Sequence, residues 1–366
     1  MRPALLDVLR QPAALAACTL AEADLVLRQA ESAGLLATLH ARCAAAGLLP
    51  RLAAPVHARL ESAWRQAERH SQAVRWEVRQ IRAALAGLEV PLILLKGAAY
   101  SMAGLQAAEG RLFSDIDILV PKARLADVEA ALMLHGWADV GHDEYDQQYY
   151  RRWMHELPPL RHIWRDTVID VHHAILPETA AARPDAAALR REARVLPGWE
   201  AQGPLPALLV LAPNDMVLHS ATHLLYESEF GHGLRGLVDL DRLLHQHAAE
   251  PGFWPALTAR ARQLQLGRPL FYALRRAARL LGTPVPASAF AELERPAAPL
   301  LAVMDQLLGR ALLPQHASSG GALHALSRQL LYLRGNWLRM PPWLLARHLC
   351  HKAVLTPLQA ARARSQ

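Results

Sequence analysis

The chain reads as an α+β protein, a small block of strands set between N-terminal and C-terminal helical regions. Three observations predict this. Residues 3 to 87 carry Leu at three- and four-residue spacing in an Ala-rich background, residues 88 to 200 hold three short segments with strand patterning, and helical spacing returns from about Pro204. Three regions are therefore expected, 1–87, 88–200 and 201–366. The 366 residues suit two or three packed units, and 52% apolar against 20% charged residues excludes a disordered chain.

In the first region Leu25, Leu27, Leu35, Leu36 and Leu39 keep helical spacing, while Gly47, Pro50 and Pro55 break it. A long amphipathic helix is expected from about His57 to Leu85. Val90-Pro-Leu-Ile-Leu-Leu95 is short and wholly apolar, the pattern of a buried strand, and a helix is expected from Gly97. Ser114-Asp-Ile-Asp-Ile-Leu-Val120 alternates polar and apolar residues and ends at Pro121, as a second strand would. Arg124 to His135 reads as an amphipathic helix closed by Gly136, and Thr167-Val-Ile-Asp-Val-His172 as a third strand. Pro213-Asn-Asp-Met signals a helix start, with Asn214 as cap for a helix from Asp215 to Tyr226. Further helices fit residues 234–247, 254–266, 269–281 and 323–333.

Composition narrows the function classes. The chain has no run of about 18 uncharged apolar residues, so no transmembrane segment is expected. Asp7 and Arg10 interrupt the apolar stretch near the start, which argues against a signal peptide. Cys18, Cys43 and Cys350 are too few and too scattered for a disulfide framework or a thiolate zinc site. A cytoplasmic globular protein is expected. The net charge of +7 is concentrated at the end: all 33 acids lie at or before Asp305, and eight of the 40 basic residues follow it. With Tyr332, Trp337 and Trp343, residues 306–366 read either as an anionic-surface contact (membrane, RNA or acidic protein) or as terminal helices docked on the core, interrupted at Pro341-Pro342.

The carboxylates carry the chemistry. On a strand, residues i and i+2 share a face, so Asp115 and Asp117 point together while Ile116 and Ile118 point to the core. Two ionised carboxylates side by side repel, and a divalent cation such as Mg²⁺ removes that penalty. Asp170 sits in another apolar strand with His172 on its face, and a third acid beside the pair would complete a two-metal site for phosphoryl or nucleotidyl transfer. Upstream, Lys96-Gly97 at a strand-to-helix turn suits close approach of backbone to an anion. Each element also has an ordinary reading: a wet edge strand, a locally hydrogen-bonded Asp170, a tight turn, and a solvated Arg111.

Leu94-Leu-Lys-Gly-Ala98, Arg111 with Ser114-Asp-Ile-Asp-Ile-Leu-Val120, and Ile169-Asp-Val-His-His173 together resemble the nucleotidyltransferase superfamily that shares the DNA polymerase β catalytic core. The narrower resemblance is to its uncharacterised bacterial nucleotidyltransferases, and it extends through Pro213–His223 and Arg235–Leu240. It implies a small mixed-sheet core that binds an NTP through two Mg²⁺ ions and transfers NMP to an acceptor with release of pyrophosphate. By this resemblance Asp115 and Asp117 would hold the metals, and Asp170 would share one and activate the acceptor. Lys96, Gly97, Ala98, Arg111 and Ser114 would meet the nucleotide, with His172 as an accessory group. Two departures stand out. Residue 98 is Ala where the superfamily usually has Ser, and the third acid is Asp170 where this branch tends to have Glu.

Two other readings stay open. One is a non-catalytic binding or scaffold protein on the same fold. The other is a zinc-dependent hydrolase centred on His219 and His223, four residues apart on one helix, with Asp215 or Asp239 as a further ligand. The Glu that a zinc protease places after its first His is replaced by Ser220.

Overall fold

A computed structural model describes residues 4–139, 144–226 and 230–350, the side chains of 144–146 and 348–350 excepted. The last part of the basic segment, with Lys352, Arg362 and Arg364, and the Cys350 side chain therefore lie outside the described residues.

The centre is a seven-stranded mixed sheet. Its strands are β1 (Leu92–Leu94), β2 (Asp115–Leu119), β3 (Trp137–Asp139), β4 (Leu160–His162), β5 (Val168–His172), β6 (Arg194–Val195) and β7 (Leu208–Val210), in spatial order β3-β4-β5-β2-β1-β7-β6. The three strands expected from the sequence are the three central ones on the site's side, β5, β2 and β1. β2 pairs parallel with β5 and antiparallel with β1, and β1 pairs parallel with β7. The register sets Asp117 beside Asp170 and Asp115 beside Val168. Ile116, Ile118, Ile169 and Val171 point the other way and are buried, as period-two alternation requires.

The long helix α1 (Ala54–Ala84) crosses this sheet and is tied to it by polar anchors as well as by Val78 and Ile81. Buried Glu77 accepts from the Arg165 guanidinium (2.7–3.2 Å) and from Thr167 Oγ1 at 3.0 Å. Arg82 donates to the carbonyls of Pro206 and Glu200 at 2.7 and 2.5 Å. One continuous core runs from Leu5 to Leu331 and takes residues from all three expected regions. The sheet also continues past residue 200, because β7 lies beyond that boundary.

The helix α2 (Lys96–Met102) follows β1 directly. Two further helices close the site, α3 (Pro213–Tyr226) and α4 (Gly233–His247). The start of α3 differs from expectation. Met216 N donates to Ala212 O, so Ala212 holds the cap position and Pro213 the first helical one, where a missing N–H costs nothing. Asn214 is inside the helix, and its buried Oδ1 has no hydrogen-bond partner.

At the other end, the helix Ala322–Arg339 docks through Leu331 and Asn336, and Met340, Leu344 and Leu345 form a small second cluster with Tyr149. This is the docked-helix arrangement. Its outer face nevertheless leaves Leu323, Leu326, Leu330, Leu333 and Trp337 exposed, and Trp343 beyond it is exposed as well. Among the described residues, no helix is long and apolar enough to cross a membrane.

Candidate active site

The turn between β1 and α2 positions the first cation. Lys96 takes a left-handed backbone conformation (φ 45°), which costs a non-glycine residue about 1–2 kcal/mol. In return its Nζ lies 2.9 Å from Asp117 Oδ1 on the neighbouring strand. His172, on β5, brings its Nε2 to the same oxygen at 2.9 Å. Both groups converge on Oδ1, which leaves Oδ2 as the oxygen for a cation. One of only three lysines in an arginine-dominated chain is thus spent on the central carboxylate.

Asp115, Asp117 and Asp170 come together as the strand pattern predicts: one oxygen from each lies within 4.8 Å of the others. Asp170 Oδ1 is buried and has no hydrogen-bond partner. A buried carboxylate oxygen without a donor is costly, and a hard divalent ion held by oxygen ligands is the group that fits it. The electrostatics agree. Burial opposes ionisation of Asp117, but Lys96 and His172 outweigh it and hold its carboxyl well below the usual carboxylate range. At Asp170 burial, then Asp117 and Glu156, outweigh the attraction of His172 and push it up to about 8.

This asymmetry has a measurable consequence. Near pH 7 the metal-free cluster carries a proton on Asp170, and a bound divalent ion must displace it. Mg²⁺ or Mn²⁺ uptake is expected to release close to one proton, with affinity rising about tenfold per pH unit up to about pH 8 and levelling above it. Calorimetry in buffers of different ionisation enthalpy measures the proton count. The sign for stability follows from a raised folded-state pKa: the contribution of Asp170 is full below about pH 4 and is lost as pH rises through about 8.

Around the acids is a cavity of about 420 Å³ whose walls include Lys96, Arg111, Ser114, Glu156, His223 and Arg235. Arg339, from the basic C-terminal part of the chain, also reaches it. Ser114 stays at the rim, its Oγ 3.5 Å from Asp115 Oδ1. Arg111 is not a solvated surface arginine. Its Nε donates to Asp239 Oδ2 at 2.8 Å, and the guanidinium lies over the rings of Tyr100 and Phe113. Its Nη1 is buried with no hydrogen-bond partner.

Gly97 and Ala98, at the turn, both face neighbouring side chains. Gly97 does serve a close approach, but the group that approaches is Arg111: a Cβ there would stand 2.0 Å from Arg111 Nη1 and 2.7 Å from the Phe113 ring. A phosphate reaching this corner meets the arginine before the glycine backbone. Ala98 is completely buried in the core and is not among the residues that wall the cavity. Ser101, one turn on, bonds Ser71 Oγ at 3.1 Å instead. Gly97→Ala is expected to displace Arg111 and Phe113 and to cost about 1–3 kcal/mol, as over-packing does, and urea denaturation measures it.

The two acids expected to join the histidine pair His219 and His223 are engaged by arginines. Asp215 is held by Arg260 at 2.7 and 2.8 Å, and Asp239 by Arg111. Among the described residues, no third His, Cys or carboxylate joins the pair within 4.8 Å. Burial, then Lys96, holds the His219 imidazole well below its usual pKa, so it packs as a neutral ring. The residues that sequence reasoning passed over are Glu156 and His155. They stand in an irregular segment that carries no pattern, and the bridge between Glu156 and His172, with the bonds from His173 N to His155 O and from Leu157 N to Val171 O, brings them to the site.

Comparison with curated proteins gave no match, and neither did comparison with solved structures. A family described as uncharacterised nucleotidyltransferase matches residues 19–282, well over half the chain and the whole of the cavity described above except Arg339. The strand pair that sets Asp115, Asp117 and Asp170 together lies inside that match, and the chain belongs to this uncharacterised nucleotidyltransferase family.

Proposed function

We propose that the protein transfers NMP from an NTP to an acceptor nucleophile, with Mg²⁺ at the three aspartates and release of pyrophosphate. The observation that carries this reading is the convergence of Asp115, Asp117 and Asp170 on one point with a buried, donorless oxygen on Asp170. An all-carboxylate donor set is the chemistry of Mg²⁺ or Mn²⁺. Two ions are expected, and when bound they neutralise charge on the triphosphate and lower the pKa of the attacking group.

The chain's own residues supply the rest. Lys96 and His172 fix Asp117 in one orientation and keep it ionised. Arg111, whose Nη1 has no other partner, and Arg235 form a cationic wall for the triphosphate. Asp170 accepts the acceptor's proton as the new bond to the α-phosphorus forms and the bond to the pyrophosphate oxygen breaks. Ser114 at the rim is placed for the nucleotide or the acceptor, while Gly97 acts by making room for Arg111. NTP and Mg²⁺ are both plentiful in the cytoplasm, and we place the reaction there. The acceptor is a small molecule, peptide, protein or RNA end, and the anionic-surface reading of residues 306–366 extends that choice without deciding it.

A second reading, a non-catalytic scaffold, draws on one observation: Arg111 and Phe113 fill the space over Gly97. Incubation with candidate acceptors and NTP labelled at the α- or γ-phosphate separates the two. The enzyme leaves α-label on the acceptor and releases γ-label as pyrophosphate, and Asp115→Ala or Asp117→Ala abolishes both. Transfer that survives both substitutions contradicts the assignment.

A further inference from the structure

A second cluster of ligand-type side chains stands beside the aspartates. One donor atom each from His155, Glu156 and His172 lies within 4.8 Å of the others. His172 is the decisive member. It is 2% exposed, and its Nε2 is committed to Asp117 Oδ1 at 2.9 Å. A carboxylate only accepts, so Nε2 carries a proton, and Nδ1 holds either a second proton or a lone pair. That Nδ1 is buried with no hydrogen-bond partner, and the atom it faces is Glu156 Oε2, 3.1 Å away. A ring nitrogen and a carboxylate oxygen this close in a buried setting need a positive centre between them, a proton or a metal ion.

We propose that His155, Glu156 and His172 bind one borderline divalent cation, Zn²⁺ or a chemically similar ion, distinct from any ion held by the three aspartates. Two imidazoles and a carboxylate are a zinc donor set, whereas Mg²⁺ avoids nitrogen. Three protein ligands leave a coordination position open. His155 and Glu156 line the cavity that also holds the aspartates, which gives the ion a route in. The bond from His172 Nε2 to Asp117 then plays the part that outer carboxylates play for metal-bound histidines, fixing tautomer and ring orientation. His172 thereby joins the two metal groups through one imidazole. The proposal stands on these three residues and does not depend on nucleotidyl transfer.

The test uses full-length protein stripped with chelator and carrying Asp115→Asn and Asp170→Asn, which removes the all-carboxylate group. Co²⁺ is titrated and followed by its visible absorption, with Zn²⁺ competition to give the zinc affinity. One ion per chain is expected, with the intense bands of a low-coordinate nitrogen-ligated site. Adding His155→Ala or Glu156→Gln is expected to weaken Zn²⁺ by about 100-fold or more, since loss of even an outer-shell partner costs 10–100-fold. Glu156→Gln keeps the side chain's shape and is partly exposed, so it serves if His155→Ala fails to fold. Absence of Co²⁺ and Zn²⁺ uptake in the Asp115→Asn, Asp170→Asn protein overturns the proposal and leaves a proton between His172 and Glu156. Uptake that Glu156→Gln leaves unchanged overturns it too.

Discussion

Asp117→Asn is expected to lower nucleotidyl transfer by at least about 10³-fold, the equivalent of about 4 kcal/mol of transition-state stabilisation. The amide oxygen still accepts from Lys96 Nζ and His172 Nε2, both of which now meet Oδ1. Its NH2 group replaces the oxygen we assign to the metal, so ion binding is lost while the fold is kept. Asp117→Ala is different. It leaves the Lys96 ammonium, whose side chain is 14% exposed, without its carboxylate. Breaking a buried pair from one side costs about 3–5 kcal/mol. Urea denaturation of the two variants separates the chemical from the structural effect. Equal loss of stability in both would mean that the charge on Asp117, and not the hydrogen bonding, holds this corner together.

The second large effect is expected at Arg111. Arg111→Met strands the Asp239 carboxylate, whose side chain is 9% exposed, and is expected to destabilise the protein by about 3–5 kcal/mol. Adding Asp239→Asn removes the stranded charge and is expected to recover most of that stability. Nucleotide affinity behaves otherwise: it falls in the single variant and stays low in the double, because the cation over Gly97 is absent from both. A double variant that regains both stability and nucleotide affinity would reduce Arg111 to a structural ion pair.

Much of the site was legible in the sequence because short-range periodicity encodes it. Asp115 and Asp117 two apart, and Asp170 in a strand of the same patterning, already imply one carboxylate face, and the β2–β5 register joins them. Partners far apart in the chain were not legible. Arg111 and Asp239 are 128 residues apart, and nothing local to either names the other. Gly97 signalled a close approach without saying what approaches, and a side chain took the place expected of a phosphate. The substitution at Ala98 looked like a lost hydroxyl contact, yet burial removes that position from the cavity altogether. The four strands missed, β3, β4, β6 and β7, are two or three residues long, too short for alternation to register. Asn214 misled for a related reason: Pro213 satisfies the helix start one residue earlier and draws Asn214 inside.

The central claim, that the three aspartates form a metal-dependent nucleotide site, is tested most directly by calorimetric titration of each of the four NTPs. The titrations are run with Mg²⁺ and with EDTA, on the wild-type protein and on Asp117→Asn. Binding of at least one NTP with Mg²⁺, absent with EDTA and absent in Asp117→Asn, is the predicted result. NTP binding of equal strength with Mg²⁺ and with EDTA, or retained in Asp117→Asn, would contradict it.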